Sequence, residues 1–214
     1  MRPLDSLTAE EAQHLRGLLF DLDDTLLDHG KLGEAAYQAL FRLREAGLEL
    51  FVVTGRPLGW AEVLVRLWPI AGAVSENGGA LVLSGAAGVK VQDSVGASER
   101  RERRQRLSTL VELLRAKLPD LVPASDVDAR RTDFTFDIGE TRTLPAERVQ
   151  EARRLAEAHG ASTLVSSVHL HVTFDRADKA SGAVRLLAIQ SQVDATAALS
   201  RYAFIGDSEN DAAC

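Results

Sequence analysis

An α/β fold is expected for this chain: a core built on a parallel sheet, with a smaller α+β layer inserted into it. Three observations predict it. Apolar runs of strand length at 17–20, 48–53, 71–75 and 202–206 alternate with helical patterns and end in polar clusters, as buried parallel strands do. The strand–helix–strand order within residues 17–53 implies a right-handed parallel crossover. Between about residue 91 and residue 176 the pattern changes to two amphipathic helices and two cleanly alternating strands, which make a small layered unit of their own.

Thr8 and Glu11 stand at capping-box spacing before a short helix over 8–15. Gly17-Leu18-Leu19-Phe20 is the first strand, and it runs into Asp21-Leu22-Asp23-Asp24-Thr25. Ligands of open α/β sheets sit outside the carboxyl ends of strands. In extended chain Asp21 and Asp23 leave the same face. Two carboxylates so close are tolerated if a cation lies between them or if one keeps its proton. Hard oxygen ligands there suit Mg²⁺, which also binds substrate phosphate; a plain acidic turn is the simpler alternative.

Residues 33–46 form a helix with Ala36, Leu40 and Leu43 on one face and Gly47 at its end. The strand at 48–53 ends in Thr54-Gly55-Arg56-Pro57. A hydroxyl and backbone N–H groups at that place can hold a phosphate oxygen. Arg56 reads equally as a substrate contact or a surface salt bridge. The helix from Leu58 to Trp68 places Leu58, Ala61, Leu64, Val65 and Trp68 toward the core. After the strand at 71–75, Glu76-Asn77-Gly78-Gly79 is a turn, with 80–83 and 89–91 as hairpin arms.

In the inserted part, the helix over 99–118 buries Leu107, Leu110, Val111, Leu114 and Leu118. Its first half carries Arg100, Arg101, Arg103, Arg104 and Arg106, an anion patch or a solvated face. Strand 132–138 sets Phe134, Phe136 and Ile138 against Asp133, Thr135 and Asp137. Strand 167–174 sets Val168, Leu170, Val172 and Phe174 against Ser167, His169, His171 and Thr173. Pro145 starts the second helix and Gly160 ends it. The apolar sides must be covered by the helices. The polar side faces either water or the site at Asp21, where its hydroxyl, carboxylate and imidazole groups would bond a sugar's hydroxyls. His169 and His171 could also hold a second metal.

The 214 residues are 45% hydrophobic and 26% charged, with net charge −6. That balance argues against a nucleic-acid partner. The single cysteine, Cys214, rules out an intrachain disulfide and fits a reducing compartment. Met1–Arg16 has no apolar signal region and no stretch reaches membrane-span length. A soluble cytoplasmic protein is expected, with no membrane partner.

Asp21-Leu22-Asp23-Asp24-Thr25-Leu26 resembles the DxDxT signature of the haloacid dehalogenase superfamily in its phosphatase form. Thr54 falls at the second motif. Asp178-Lys179-Ala180-Ser181-Gly182 falls at the third, a slight departure from its DKG-like start. Gly206-Asp207-Ser208-Glu209-Asn210-Asp211 has the GDxxND form of the fourth. The insertion after the Glu76–Gly79 turn resembles the α/β caps of the sugar-phosphatase branch. That branch holds sucrose-phosphate, trehalose-phosphate and mannosyl-phosphoglycerate phosphatases, phosphomannomutases and broad-specificity Cof-type enzymes.

The resemblance implies a Rossmann-like catalytic core of residues 1–90 and 177–214 and a cap of residues 91–176 that chooses the substrate. It implies a Mg²⁺-dependent phosphatase acting on a small phosphorylated molecule, a sugar phosphate, through an aspartyl-phosphate. Asp21 is the nucleophile and Asp23 the acid and base. Thr54, Lys179 and Asn210 serve the phosphate, with Gly55, Arg56, Asn77, His169 and His171 as further substrate contacts. Asp21, the Asp23 carbonyl, Asp207 and Asp211 serve the metal, with Asp211 bound through water or holding Lys179. A phosphomutase carries the same motifs. The core is expected to be truncated, because relatives continue past the fourth motif and this chain ends three residues after Asp211. The strand at 202–206 would then be an uncovered edge open to self-association, and a weakly active binding or regulatory module is a further alternative.

Overall fold

The computed structural model describes residues 3–166, 168–207 and 211–214. In chain order they form α1 (Ala9–His14), β1 (Gly17–Phe20), a short hairpin of β2 (Leu27–Asp28) and β3 (Lys31–Leu32), α2 (Glu34–Glu45), β4 (Glu49–Val53), α3 (Leu58–Leu67), β5 (Gly72–Ser75), β6 (Ala80–Gly85) and β7 (Gly88–Asp93). Then come α4 (Ala97–Lys117), β8 (Val122–Pro123), β9 (Asp133–Asp137), α5 (Ala146–Ala158), β10 (Ser162–Val165) and β11 (His169–Thr173). The last elements are α6 (Lys179–Gln190), α7 (Ala195–Arg201) and β12 (Tyr202–Ile205). No described helix is long and apolar enough to cross a membrane.

Two compact units divide the chain. The first holds Met1–Arg56, Trp60–Gln92 and Ala177–Cys214; the second holds Pro57–Gly59 and Asp93–Arg176. The first is built on a six-stranded sheet of order β12-β1-β4-β5-β6-β7. The four strands expected to be parallel are so: β1 pairs with β12 and β4, and β4 with β5, all in parallel. β6 runs antiparallel to β5, and β12 lies at the sheet edge. Leu19, Phe51, Val53, Val74 and Leu81 pack against Ala183, Leu186 and Leu187 of α6 and Tyr202. This parallel core places the ends of β1, β4, β5 and β12 together, as the sequence predicts.

The start of α6 is pressed onto the turn after β5. A Cβ on Gly78 would lie 2.1 Å from the Asp178 carbonyl oxygen, and one on Gly182 would lie 2.7 Å from Val74 Cγ1. Gly78 also sits at φ +99, a conformation that an L side chain rarely adopts. Gly78→Ala therefore combines left-handed strain with a backbone collision. It should destabilise the protein by about 3 kcal/mol or more in urea unfolding. A loss below about 1 kcal/mol would show that α6 is free to shift.

The second unit has a four-stranded sheet of order β10-β11-β9-β8, with all pairs antiparallel. Phe136, Leu170 and Val172 are buried against Leu107, Leu110, Val111 and Leu114 of α4 and Val149, Ala152 and Ala156 of α5. The two helices thus cover the apolar face, as alternation requires. Two strands are expected here and four are present. β8 has two residues, and β10 is a four-residue edge strand without clear alternation, so neither leaves a periodic signal.

The opposite, polar face of this sheet departs further from expectation. Asp133, Thr135, Asp137, His169 and His171 are all buried. Arg130, on the segment before β9, donates to both oxygens of Asp133 at 3.1 Å and to Asp126 at 2.8 and 2.9 Å. His171 Nδ1 meets Asp133 Oδ2 at 2.8 Å, and Thr135 donates to Asp126. His169 Nε2 meets Glu140 Oε2 at 3.1 Å, while Asp137 accepts the N–H groups of Gly139, Glu140 and Thr141. These polar groups are buried and paired, because the loops flanking β9 supply partners that alternation along one strand cannot reveal. Ser167 lies outside the described residues.

The arginine run on α4 is likewise engaged within the second unit. Arg100 pairs with Asp175 at 2.7 Å and with Asp93 at 3.3 Å, and Arg103 pairs with Asp175 and Glu99. Arg104 reaches the Asp133 carbonyl, and Arg106 stacks over Phe174. Neither a free anion patch nor a wholly solvated face describes it.

Candidate active site

The carboxyl ends of the parallel strands gather the charged groups. The backbone continues β1 one step further, with the Asp21 N–H donating to the Ile205 carbonyl at 3.0 Å. It then leaves the extended path: the Leu22 carbonyl accepts from Thr25, Leu26 and Leu27, and Asp24 takes φ +55. The Asp21 and Asp23 side chains therefore turn to different partners, where extended chain would send both from one face. Asp21 is buried and its Oδ2 lies 3.0 Å from Lys179 Nζ. Asp23 is half-exposed and is held at both oxygens by Arg56, through Nε at 2.9 Å and Nη2 at 2.7 Å. Arg56 thus makes a salt bridge, to a candidate catalytic carboxylate.

Lys179 is the first residue of α6, and Asp178 caps that helix by accepting the Ser181 N–H at 2.8 Å. The cap and the glycine contacts of Gly78 and Gly182 fix where the lysine emerges. Its ammonium, buried, also meets Asp211 Oδ1 at 2.7 Å. A Cβ on Gly206 would lie 2.6 Å from Asp211 Oδ2, so only glycine after β12 admits this carboxylate so close. Asp207 is exposed and accepts from Thr25 Oγ1 at 3.4 Å. Asn210 lies outside the described residues.

The ends of β4 and β5 are joined through their backbones. The Asn77 N–H donates to the Thr54 carbonyl at 3.2 Å and the Glu76 N–H to the Arg56 carbonyl at 3.1 Å. Glu76, Asn77 and Gly78 all have positive φ. Gly55 leaves room for the Asn77 amide, which a Cβ there would approach to 3.0 Å. Thr54 is fully buried, and its hydroxyl accepts the Arg56 N–H at 3.1 Å. That leaves the hydroxyl proton to donate to an anion.

Oxygen atoms of Asp21, Asp207 and Asp211 lie within 4.8 Å of one another. Three hard carboxylates at this separation fit a divalent cation. No histidine belongs to the metal-competent cluster found among the described residues, and the Asp23 carboxylate is engaged by Arg56. Burial pushes the Asp21 carboxyl up to about 6, against the pull of Lys179 and with the Asp211 charge adding to the rise. Burial draws the Lys179 ammonium down, but Asp21 and Asp211 together raise it above its usual value, so it stays charged at neutral pH.

Asp21 holds its proton more tightly folded than unfolded. Its stabilising contribution is therefore complete below about pH 4 and is lost as pH rises through about 6. Lys179→Met removes the cation that offsets the ionised form and leaves buried carboxylates facing one another. In metal-free buffer at pH 8 it should cost about 3–5 kcal/mol of stability. At pH 5, where Asp21 is protonated, the cost should be clearly smaller. Equal losses at both pH values in denaturant titrations would refute this account of the cluster.

Sequence reasoning missed the Thr25–Asp207 contact and the packing roles of Gly78, Gly182 and Gly206. Asp207 lies 182 positions after Thr25, a separation that no local pattern reports.

Residues 18–95 match the model of the haloacid dehalogenase-like hydrolases. A comparison with curated protein sequences finds no match. Among solved structures, protein 0175 of Thermoplasma acidophilum is similar over 93% of this chain and 80% of its own, with TM-score 0.71 and 19% identity. The sucrose-phosphatase of Synechocystis sp. PCC6803, solved with sucrose and phosphate, is similar over 93% and 78%, with TM-score 0.61 and 16% identity. The trehalose-6-phosphate phosphatase C-terminal domain of C. albicans is similar over 95% and 74%, with TM-score 0.66 and 12% identity. Residues 18–95 thus resemble the haloacid dehalogenase-like hydrolases, and the chain shares its fold with structures of sucrose-phosphatase and trehalose-6-phosphate phosphatase.

Proposed function

We propose that the chain is a Mg²⁺-dependent phosphatase that hydrolyses a sugar phosphate through an aspartyl-phosphate on Asp21. The observation that carries this reading is the buried Asp21 carboxylate at the end of β1, 3.0 Å from Lys179 and grouped with Asp207 and Asp211. Residues 1–90 and 177–214 do the chemistry, and residues 91–176 choose the substrate. The single cysteine fits a cytoplasmic setting.

Phosphoryl transfer needs positioning and charge neutralisation more than covalent ingenuity. An Asp21 oxygen attacks phosphorus, and the bond from phosphorus to the sugar oxygen breaks. Asp23 gives that oxygen a proton, then takes one from the water that attacks the aspartyl-phosphate. Inorganic phosphate leaves and Asp21 is regenerated. Lys179 and the Thr54 hydroxyl hold the phosphoryl oxygens, with Asn210 as a further donor. Asp21, Asp207 and Asp211 hold the cation, which supplies charge neutralisation at the phosphoryl group. Arg56 holds the ionised Asp23 carboxylate at both oxygens, so one of these bonds opens for Asp23 to carry the proton that it gives. The proposed sugar contacts of His169 and His171 rest on strand alternation alone, and both side chains have carboxylate partners.

A phosphate-release screen over hexose and disaccharide phosphates with Mg²⁺ tests this reading. Release of inorganic phosphate as the main product is expected. Transfer of the phosphoryl group to a second sugar hydroxyl would make the protein a mutase, and no turnover above an Asp21→Asn control would end the enzyme reading.

A further inference from the structure

We propose that Trp60, in the part that does the chemistry, adds to the cap's choice of substrate as a platform on which the ring of the leaving sugar rests. This rests on the phosphatase reading, because it takes Asp23 as the group beside the leaving oxygen. A general acid must come within about 3 Å of the oxygen it protonates, so the leaving group begins at Asp23. Both Asp23 oxygens are gripped by Arg56, and the Arg56 guanidinium carbon lies 4.6 Å from the centre of the Trp60 ring. Carboxylate, guanidinium and indole therefore form one continuous surface leading away from the reacting atoms.

Trp60 stands in the first turn of α3 and keeps 41% of its surface exposed. Stacking on Arg56 holds the ring in place at little further entropic cost to a ligand. A pyranose has ring C–H groups on one face and hydroxyls around its rim. Its apolar face suits the indole, and its hydroxyls suit the guanidinium beside it. A small acyclic phosphate shares the phosphoryl contacts but does not reach the indole. The same helix exposes Val63 and Leu67 further along. Trp60 differs from them in its stacking on Arg56, and that contact ties the indole to the site.

The test compares glucose 6-phosphate with ethyl phosphate in the wild type, Trp60→Ala and Trp60→Phe. In Trp60→Ala the ratio of kcat/KM for the two substrates should fall about tenfold, with the loss for glucose 6-phosphate mainly in KM. Trp60→Phe should recover most of it. In the Asp21→Asn background, glucose 6-phosphate should change tryptophan emission more than inorganic phosphate does, and Trp60→Phe should remove the difference. A substrate ratio within about twofold of wild type in Trp60→Ala, with phosphate still released, would overturn the platform and leave the phosphatase reading intact. An emission difference without turnover of either substrate would support the platform as a binding surface and sink the phosphatase reading. Equal emission responses to glucose 6-phosphate and phosphate would overturn the platform.

Discussion

Asp21→Asn should abolish turnover, with a loss on the order of 10³-fold or more in phosphate release, while the protein stays folded. The amide keeps the shape of the carboxylate but has neither its charge nor its nucleophilicity. No neighbour can substitute. Asp211 is bonded to Lys179, and Asp23 is held by Arg56. The raised value of Asp21, about 6, adds a second expectation. The folded protein favours the neutral form, so a neutral amide should not destabilise it at pH 8. In metal-free buffer the variant should melt at or above the wild-type temperature at pH 8, with the gap closing toward pH 5. Activity within tenfold of wild type would remove Asp21 as the nucleophile. A large drop in melting temperature at pH 8 would instead show that the Lys179 ion pair outweighs the cost of burying the charge.

The core was legible because its signals are local. A parallel strand buried on both faces is a run of apolar residues, and β1 and β4 are almost wholly buried. The polar residue closing each run, Asp21 after β1 and Thr54 after β4, is its immediate neighbour in the chain. The capping box at Thr8 and Glu11 formed as its spacing predicts. The features that escaped depend on distance along the chain. Asp23 and Arg56 are 33 positions apart, and His171 and Asp133 are 38 apart. Alternation identified which side of β9 and β11 is polar, but not that Arg130 and the turn at 139–141 would close over it. A polar sheet face can be solvated, functional or internally paired with the same sequence. The β2–β3 hairpin escaped for another reason: its strands have two residues each, too short to show any period.

Removal of divalent metal should cost activity on the order of 10³-fold, because the site is short of positive charge. Asp21, Asp207 and Asp211 present three carboxylates to one ammonium, that of Lys179. A phosphate dianion brought to such a cluster would be repelled, and its phosphorus shielded from an anionic nucleophile. A cation held by the three carboxylates reverses that balance. Excess chelator should therefore abolish phosphate release, and Mg²⁺ should restore it. Ca²⁺ should bind and inhibit, since its larger shell accepts a carboxylate through both oxygens and an Asp21 so held has none free to attack. Metal and proton compete for Asp21, so the rise in melting temperature on adding Mg²⁺ should be larger at pH 7.5 than at pH 5. Full activity in excess chelator would rule out the mechanism. A melting temperature equally indifferent to Mg²⁺ at both pH values would show that the three carboxylates do not form its site.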